Sequence, residues 1–152
     1  MAKIYLESTT VSASKSLMEI QEIVLRSGAT NINQKASNGR ILGLAFTLPG
    51  PQGDMLYDLP ARIEPIYKTL RAQRSPRSIS RPGVEEIDRD AAERIAWRQL
   101  LYWIRAQFAL IETGMVEAQE VSLPYMMARN GQRLFEHVKA GALKQLTGGG
   151  DR

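Results

Sequence analysis

The residues of this chain best suited to chemistry are the cations between positions 62 and 81, which a single acid, Glu64, opposes. Most are arginines, whose planar guanidinium group binds phosphate oxygens and stacks on bases. Proline and serine separate them, as in flexible segments that become ordered on a polyanion. The pattern predicts contact with a polyanion; the alternative is a solvated linker whose charges oppose nearby acids. The cations are Arg62, Lys68, Arg71, Arg74, Arg77 and Arg81.

Aromatic side chains near these cations could stack on bases, as they do in proteins that bind single strands. Tyr57 and Tyr67 are close in sequence to the basic segment, and Tyr67 is the predicted stacking residue. Trp97, Tyr102 and Trp103 form a second candidate set. Their helical context favours core packing, because a buried helix needs large side chains.

Arginines also occur beside that second set. Arg94, Arg98 and Arg105 lie opposite the main apolar rows of the same stretch. They either extend a basic surface or pair locally, and for Arg94 we expect a pair with Asp90 four residues earlier.

Acidic residues crowd the segment that precedes these arginines, and carboxylate oxygens of this kind bind divalent cations. No glycine stands among them where a calcium loop requires one. Carboxylates at the start of a helix are also stabilised by the helix dipole, which explains them without a metal. We therefore predict no metal site. The residues are Glu85, Glu86, Asp88 and Asp90.

Catalysis is not indicated by any motif. His137 is the single histidine, and acid–base catalysis needs a positioned partner that a sequence does not show. The serines lack a G-x-S-x-G context, and the glycine-containing segments lack the Lys-Ser/Thr of a nucleotide-binding loop. We predict a protein that is not an enzyme and binds no cofactor.

Composition bounds the class of protein. The 152 residues fit one domain, with 43% hydrophobic content to fill a core. The absence of Cys excludes disulfides and thiolate chemistry. No apolar run has the length of a membrane span or a secretory signal, so we expect a soluble intracellular protein with no membrane partner. A net charge of +4 and a pI near 9.6 permit a polyanionic partner.

The element that must position these side chains is a long helix predicted over residues 88–113. Apolar residues recur there at steps of three and four in two adjacent rows, and Gly114 follows. An N-terminal helix is predicted with Ser12 or Ser14 as the N-cap and Gly28 just past its end. Helices of this kind need a second layer to cover their apolar surfaces.

Short alternating or apolar runs predict strands at residues 3–7, 31–34, 41–48 and 55–59, with a tight turn at Asn38-Gly39. The fold class is therefore α+β, a small antiparallel sheet with one N-terminal helix, a long C-terminal core helix and shorter helices.

The remaining segments complete a single domain over residues 1–147. A short helix is predicted after Pro60, then an exposed basic connector over 71–83. A short helix over 116–121, a turn at Asn130-Gly131 and a last amphipathic helix over 133–146 follow the core helix. Residues 148–152 are predicted to form a flexible tail.

Two pieces of the chain, residues 14–30 and 96–126, together resemble a class of small phage and mobile-element proteins. The shared pattern is a helix ending in G-A-T, a β-meander, and a long W-R helix leading to an L-P-Y segment. The resemblance covers about two thirds of the chain. It implies membership of a replication or recombination cassette and an accessory role on DNA, with no functional residues to carry over.

We therefore predict a non-enzymatic protein of a bacterial cytoplasm that binds single-stranded DNA or recombination intermediates. One alternative is a protein–protein interaction module, such as a phage-borne inhibitor of a host defence complex. A homo-oligomeric structural protein is another, because the apolar surface of the core helix is wide. The predicted nucleic-acid-binding residues are Arg62, Tyr67, Lys68, Arg71, Arg74, Arg77 and Arg81.

Overall fold

A computed structural model describes residues 3–142 and 145 of the chain. Its sheet has three antiparallel strands in the order β1 (Thr30–Ser37), β2 (Arg40–Leu48) and β3 (Met55–Pro60). The predicted Asn38-Gly39 turn joins β1 to β2, and both residues have positive φ, 51° and 74°. Positive φ at both central positions matches the twist of a two-residue hairpin, so the turn prediction is confirmed. The sheet and its helices confirm the predicted α+β class.

Two helices cover one face of this sheet. Helix α1 (Ala13–Arg26) is capped by the Ser12 hydroxyl, which accepts a hydrogen bond from the Lys15 backbone N–H, and Gly28 follows its end with φ = 89°. Both terminal signals are confirmed. The long helix, which becomes α4 in chain order, spans Val84–Glu112 and begins four residues before its predicted start. One core therefore joins α1, the sheet and the long helix, with Ile20, Val24, Leu44, Phe46, Trp97, Leu101 and Ile104 among its buried residues.

The second apolar row of the long helix packs on helix α2 (Ile63–Gln73). Ile63 of α2 and Ala92 and Ala96 of the long helix are buried in this smaller core. The one-turn helix α3 (Pro76–Ile79) follows and leads into α4 (Val84–Glu112). The buried residues of α4 thus face α1, the sheet and α2, whereas Leu100 and Trp103 are only partly buried.

The C-terminal part is built from short pieces: α5 (Ala118–Ser122), a 3₁₀ turn (Leu123–Tyr125), and α6 (Leu134–His137) followed by a π-type turn (Val138–Ala142). The predicted turn at Asn130-Gly131 is present, with φ = 78° at Gly131. Of the helix predicted over 133–146, the described part is helical from Leu134, as one α-helical turn followed by the π-type turn, and Gly141, with φ = 121°, breaks it. Leu143, Leu146 and the tail 148–152 lie outside the described residues.

The predicted first strand is wrong because local backbone bonding prevails over pattern. Residues 3–7 form a turn instead of a strand: Leu6 has φ = 62° and the Glu7 N–H donates to the Ile4 carbonyl at 3.1 Å. The alternation correctly indicates half-buried Ile4 and Leu6, but no strand pairs with this segment in the sheet.

The connector predicted over 71–83 is mostly exposed, as expected. It contains the end of α2 and the one-turn helix α3, which the sequence did not predict.

Within the part of the chain that the structure describes, no helix is both long enough and apolar enough to cross a membrane.

Candidate nucleic-acid interface

Arg71 and Arg74, two of the predicted phosphate ligands, bind a carboxylate of their own chain. Asp88 of α4 has a side chain only 2% exposed, and Arg74 approaches it through Nε and one terminal nitrogen at 2.8 and 2.6 Å. Arg71 adds a third contact at 3.3 Å. The hydrogen bond to Asp88 raises the pKa of Arg74. These arginines clamp α2 and α3 on α4 and are not free to bind phosphate, which corrects the prediction for both.

The acids at the start of α4 are likewise bound by arginines. Arg40, at the start of β2, contacts three carboxylates one and two turns apart on α4, those of Glu86, Asp90 and Glu93. Burial alone lowers the pKa of Arg40, but its hydrogen bonds to Asp90 and Glu93 outweigh this and raise it. Among the described residues, no group of three or more carboxylates or imidazoles is placed to share a metal ion.

The local pair expected between Asp90 and Arg94 is not formed. Asp90 lies 2.8 Å from Arg40 instead, and the Arg94 Nε is buried without a hydrogen-bond partner among the described residues. Helix spacing allowed the pair, but β2 brought a better-placed guanidinium to the same carboxylate.

Three aromatic residues that were candidates for base stacking are covered by the protein itself. The Tyr67 ring lies under the Arg89 guanidinium, 4.0 Å from its centroid. Tyr57 is buried against Phe46 with ring centroids 5.9 Å apart, and burial raises its pKa. Trp97 is fully buried and donates its indole N–H to the Ile41 carbonyl at 3.0 Å, which confirms its core role. None of the three offers a free ring face to a ligand.

The other predicted cations remain exposed. Arg62, Lys68, Arg77 and Arg81 form no ion pair with any carboxylate in the described part of the chain. Arg62 precedes α2 and lies near enough to Glu136 to lower the pKa of that carboxyl, a smaller effect than the hydrogen bond from Arg133. These four cations remain available to a polyanion.

His137, the single histidine, contacts the side chain of Asn130 at 3.0 Å. This contact ties α6 to the Asn130-Gly131 turn and supplies no acid–base pair.

Half of the aromatic residues lie together on a surface that the sequence did not predict. The chain has ten Phe, Trp and Tyr residues. Phe46, Tyr57, Trp97 and Phe108 lie in the core and Tyr67 under Arg89. The other five lie on α4 and the segments beside it: Tyr5 and Phe135 are exposed, whereas Tyr102, Trp103 and Tyr125 are partly buried and pack against the main core. We call this set the α4 aromatic surface.

One end of the α4 aromatic surface combines tyrosines with arginines. The Tyr5 and Tyr102 rings are 6.3 Å apart and tilted by 56°, and Tyr5 is 65% exposed. The guanidinium carbons of Arg98 and Arg105 lie 5.1 and 5.8 Å from the Tyr102 ring. Both arginines bind the single carboxylate of Glu19, at 3.2 and 3.3 Å. Two cations on one anion leave this end positive.

The other end of the surface is an open groove of about 480 Å³ between α2, α4 and the C-terminal segment. Trp103 and Tyr125 meet edge to face in its wall, with centroids 5.5 Å apart at 74°. Phe135, 44% exposed, lies at its edge. Arg62 and Gln99 supply the polar side chains, and the apolar lining residues are Pro60, Pro65, Ile66, Ala96, Leu100 and Pro124.

Gln99 connects the two ends. It lines the groove, and its Nε2 donates a hydrogen bond to the Tyr5 carbonyl at 2.7 Å. Positions 99, 102 and 103 are adjacent on one helical face, so the tyrosine end and the groove are continuous. Sequence periodicity could have placed Tyr102 and Trp103 together on this face. Nothing in the sequence placed Tyr5, Tyr125 and Phe135 beside them.

The fold is a three-stranded antiparallel sheet covered by helices on one face, with a groove on the side of the long helix. Comparison with family models, curated proteins and solved structures returns no match for this chain. Function is therefore inferred from the geometry of the chain itself.

Proposed function

We propose that this protein is a non-enzymatic accessory protein of a phage or mobile element that binds single-stranded nucleic acid on its α4 aromatic surface, in the cytoplasm of a bacterial host. Bases stack on the exposed rings, and phosphates contact Arg62 and the exposed cations that follow it in the chain. The observation that carries the proposal is the concentration of five aromatic rings on one continuous surface, with the guanidinium group of Arg62 in its groove. Arg98 and Arg105 are bound to Glu19 and are not counted as phosphate ligands.

Single strands fit this surface better than duplexes because stacking requires free base faces, which base pairing in a duplex conceals. Every base has such a face, so binding would tolerate many sequences. An aromatic ring contributes roughly 1–3 kcal/mol per stacked base in proteins of this kind. Guanidinium groups stack on bases as well as binding phosphate, so a ring–arginine surface serves both parts of a nucleotide.

The exposed cations of the basic segment extend the proposed site. Lys68, Arg77 and Arg81 lie beyond Arg62 on α2, α3 and the loop that follows, and each is exposed. They would follow the phosphate backbone of a longer strand. Arg71 and Arg74 are left out of the proposed site because Asp88 binds them.

Two segments of the second piece that carries the resemblance, residues 96–126, meet at the groove. Gln99, Leu100 and Trp103 belong to the W-R helix, and Pro124 and Tyr125 belong to the L-P-Y segment. This juxtaposition supports a functional role for the groove in a protein of a replication or recombination cassette.

The test is fluorescence anisotropy with a labelled oligothymidine at several salt concentrations. The logarithm of the affinity should fall with the logarithm of salt by about 0.7 per neutralised phosphate. Tyr5→Ala and Phe135→Ala should each weaken binding by about five- to 150-fold, the equivalent of one stacked base. Arg62→Ala should lower the salt slope by about 0.7.

The matched control is Met115→Ala, which removes another exposed apolar side chain, 71% exposed, outside the surface. This variant should bind like the wild type. No binding by the wild type at low salt, or equal losses in Met115→Ala and Tyr5→Ala, would contradict the proposal.

A protein-binding module is the second candidate, favoured by the apolar lining of the groove and its three prolines, Pro60, Pro65 and Pro124. Apolar grooves with few polar groups are typical of peptide and small-molecule sites. Binding of that kind would depend weakly on salt, and a pull-down with this protein would recover a stoichiometric partner protein from a host extract. Neither result is expected if the nucleic-acid proposal is correct.

A further inference from the structure

We infer that the groove of the α4 aromatic surface is a pocket for a single unstacked base of the bound strand. The base would enter between α2 and the C-terminal segment, with Gln99 hydrogen-bonded to its edge and Arg62 on a flanking phosphate. This inference rests on the proposed function and adds to it a defined site for one nucleotide.

The shape of the groove fits one planar, mostly apolar ligand. Its volume of about 480 Å³ falls within the range of about 300–1,000 Å³ that small-molecule sites occupy. It is enclosed on three sides, by Pro65 and Ile66 of α2, by Leu100 and Trp103 of α4, and by the C-terminal segment. Proteins that hold an extruded base place it between aromatic or apolar side chains in this way.

The polar groups of the groove are few and complementary to a nucleotide. Gln99 donates one amide hydrogen bond to the Tyr5 carbonyl, which fixes the orientation of the side chain. Within the described residues its carbonyl oxygen accepts no hydrogen bond, so one acceptor and one N–H remain for a ligand. A glutamine amide with a free donor and acceptor pairs with base edges, adenine above all.

The charge of the groove favours a nucleotide over a neutral apolar peptide. Arg62 is its one charged lining residue, it is exposed, and no carboxylate in the described part of the chain lies within ion-pair distance of it. Glu136 acts on Arg62 only at longer range than an ion pair, so an apolar peptide would leave the guanidinium without a hydrogen-bonded anion, whereas a nucleotide brings a phosphate next to its base.

The test uses three labelled strands of equal length and charge: one with an abasic sugar at every position, one with a single central adenine, and one with a single central thymine. We expect the adenine strand to bind about five- to 150-fold more tightly than the fully abasic strand, the equivalent of one stacked base. The thymine strand should gain less, because the single ring of thymine offers a smaller stacking surface than adenine.

Two variants and one control locate the effect. Pro65→Phe places a ring in the groove and should abolish the advantage of the adenine strand, while the control Thr69→Phe, an exposed position one turn further along α2 that does not line the groove, should preserve it. Gln99→Leu should weaken binding of both the adenine and the thymine strand, because each base loses its hydrogen bonds to the amide, while both stay ahead of the abasic strand.

The outcomes separate this inference from the proposed function. If oligothymidine binds but the single adenine adds nothing, or adds as much in Pro65→Phe as in the wild type, the base pocket is wrong and strand binding stands. If no strand binds at low salt, both are wrong.

Discussion

Arginine side chains in this protein divide into two groups that residue type does not distinguish. Arg40, Arg71 and Arg74 bind carboxylates of α4 and hold the fold together. Arg62 and Arg77 come from the same stretch of chain as the last two, yet they are exposed and form no ion pair with described residues. Whether a guanidinium stabilises the fold or is free for a ligand is therefore decided by which acids the fold brings beside it.

Substitution of Asp88 tests the first group. Asp88→Asn removes the charge that two partly buried guanidinium groups share, so we expect the free energy of unfolding to fall by about 2–4 kcal/mol. Urea denaturation measures this. Asp90→Asn is the control on the same helix: Asp90 is half exposed and shares Arg40 with two other carboxylates, so its loss should cost less than about 1 kcal/mol. A loss in Asp88→Asn as small as the loss expected for Asp90→Asn would show that the ion pairs of Asp88 do not stabilise the fold.

Helix ends and tight turns of this protein follow from local chemistry. The Ser12 hydroxyl satisfies a free backbone N–H, Gly28 adopts a left-handed conformation after α1, and Asn38-Gly39 turns the chain between β1 and β2. Each feature depends on residues only a few positions apart, which is why the sequence predicts it. The segment 3–7 shows the opposite case, because a strand exists only where another strand pairs with it.

Substitution of the two serines that the sequence left as alternatives tests the cap of α1. Ser12→Ala should lower the free energy of unfolding by about 1 kcal/mol, because the Lys15 backbone N–H loses its acceptor. Ser14→Ala should be neutral or slightly stabilising, because Ser14 is exposed inside the helix and alanine has the higher helix propensity. The free energy of unfolding of both variants is measured by thermal or urea denaturation. A larger loss in Ser14→Ala than in Ser12→Ala would show that Ser14, and not Ser12, caps α1.

Across the whole molecule, charged residues link layers that are distant in sequence. Arg40 joins the sheet to the start of α4 through three carboxylates, and Glu19 joins α1 to the same helix through Arg98 and Arg105. Of the basic stretch, Arg71 and Arg74 pair with the acidic stretch through Asp88, whereas the other acids at the start of α4 are bound by Arg40 of β2. Among the exposed cations without an ion pair in the described part of the chain, Arg62 lies at the groove and Lys68, Arg77 and Arg81 lie on α2, α3 and the loop after α3.

Removal of Arg40 should therefore make stability depend on salt. In Arg40→Gln, the carboxylates of Glu86, Asp90 and Glu93 repel one another without a counterion, and we expect a loss of about 1–3 kcal/mol at about 0.1 M salt. At about 1 M salt, where screening acts over about 3 Å, part of the loss should be regained. The measurement is the free energy of unfolding at both concentrations.

Arg105→Gln, which removes a half-exposed guanidinium from Glu19 while Arg98 stays on the same carboxylate, is the control and should change stability little at either concentration. A deficit in Arg40→Gln that does not depend on salt would show that packing of the Arg40 side chain, and not its charge, stabilises the fold.

The sequence by itself determined the fold class, the long helix, the capped ends of α1 and the hairpin turn, because periodicity and local hydrogen bonding act over a few residues. It also showed that arginines are abundant, but not which of them are free. Only the tertiary structure decided that Asp88 binds Arg71 and Arg74, and that Tyr5, Tyr125 and Phe135 join Tyr102 and Trp103 around α4. Those contacts join residues from distant parts of the chain. They form only when the whole core is packed, so a local sequence pattern does not predict them.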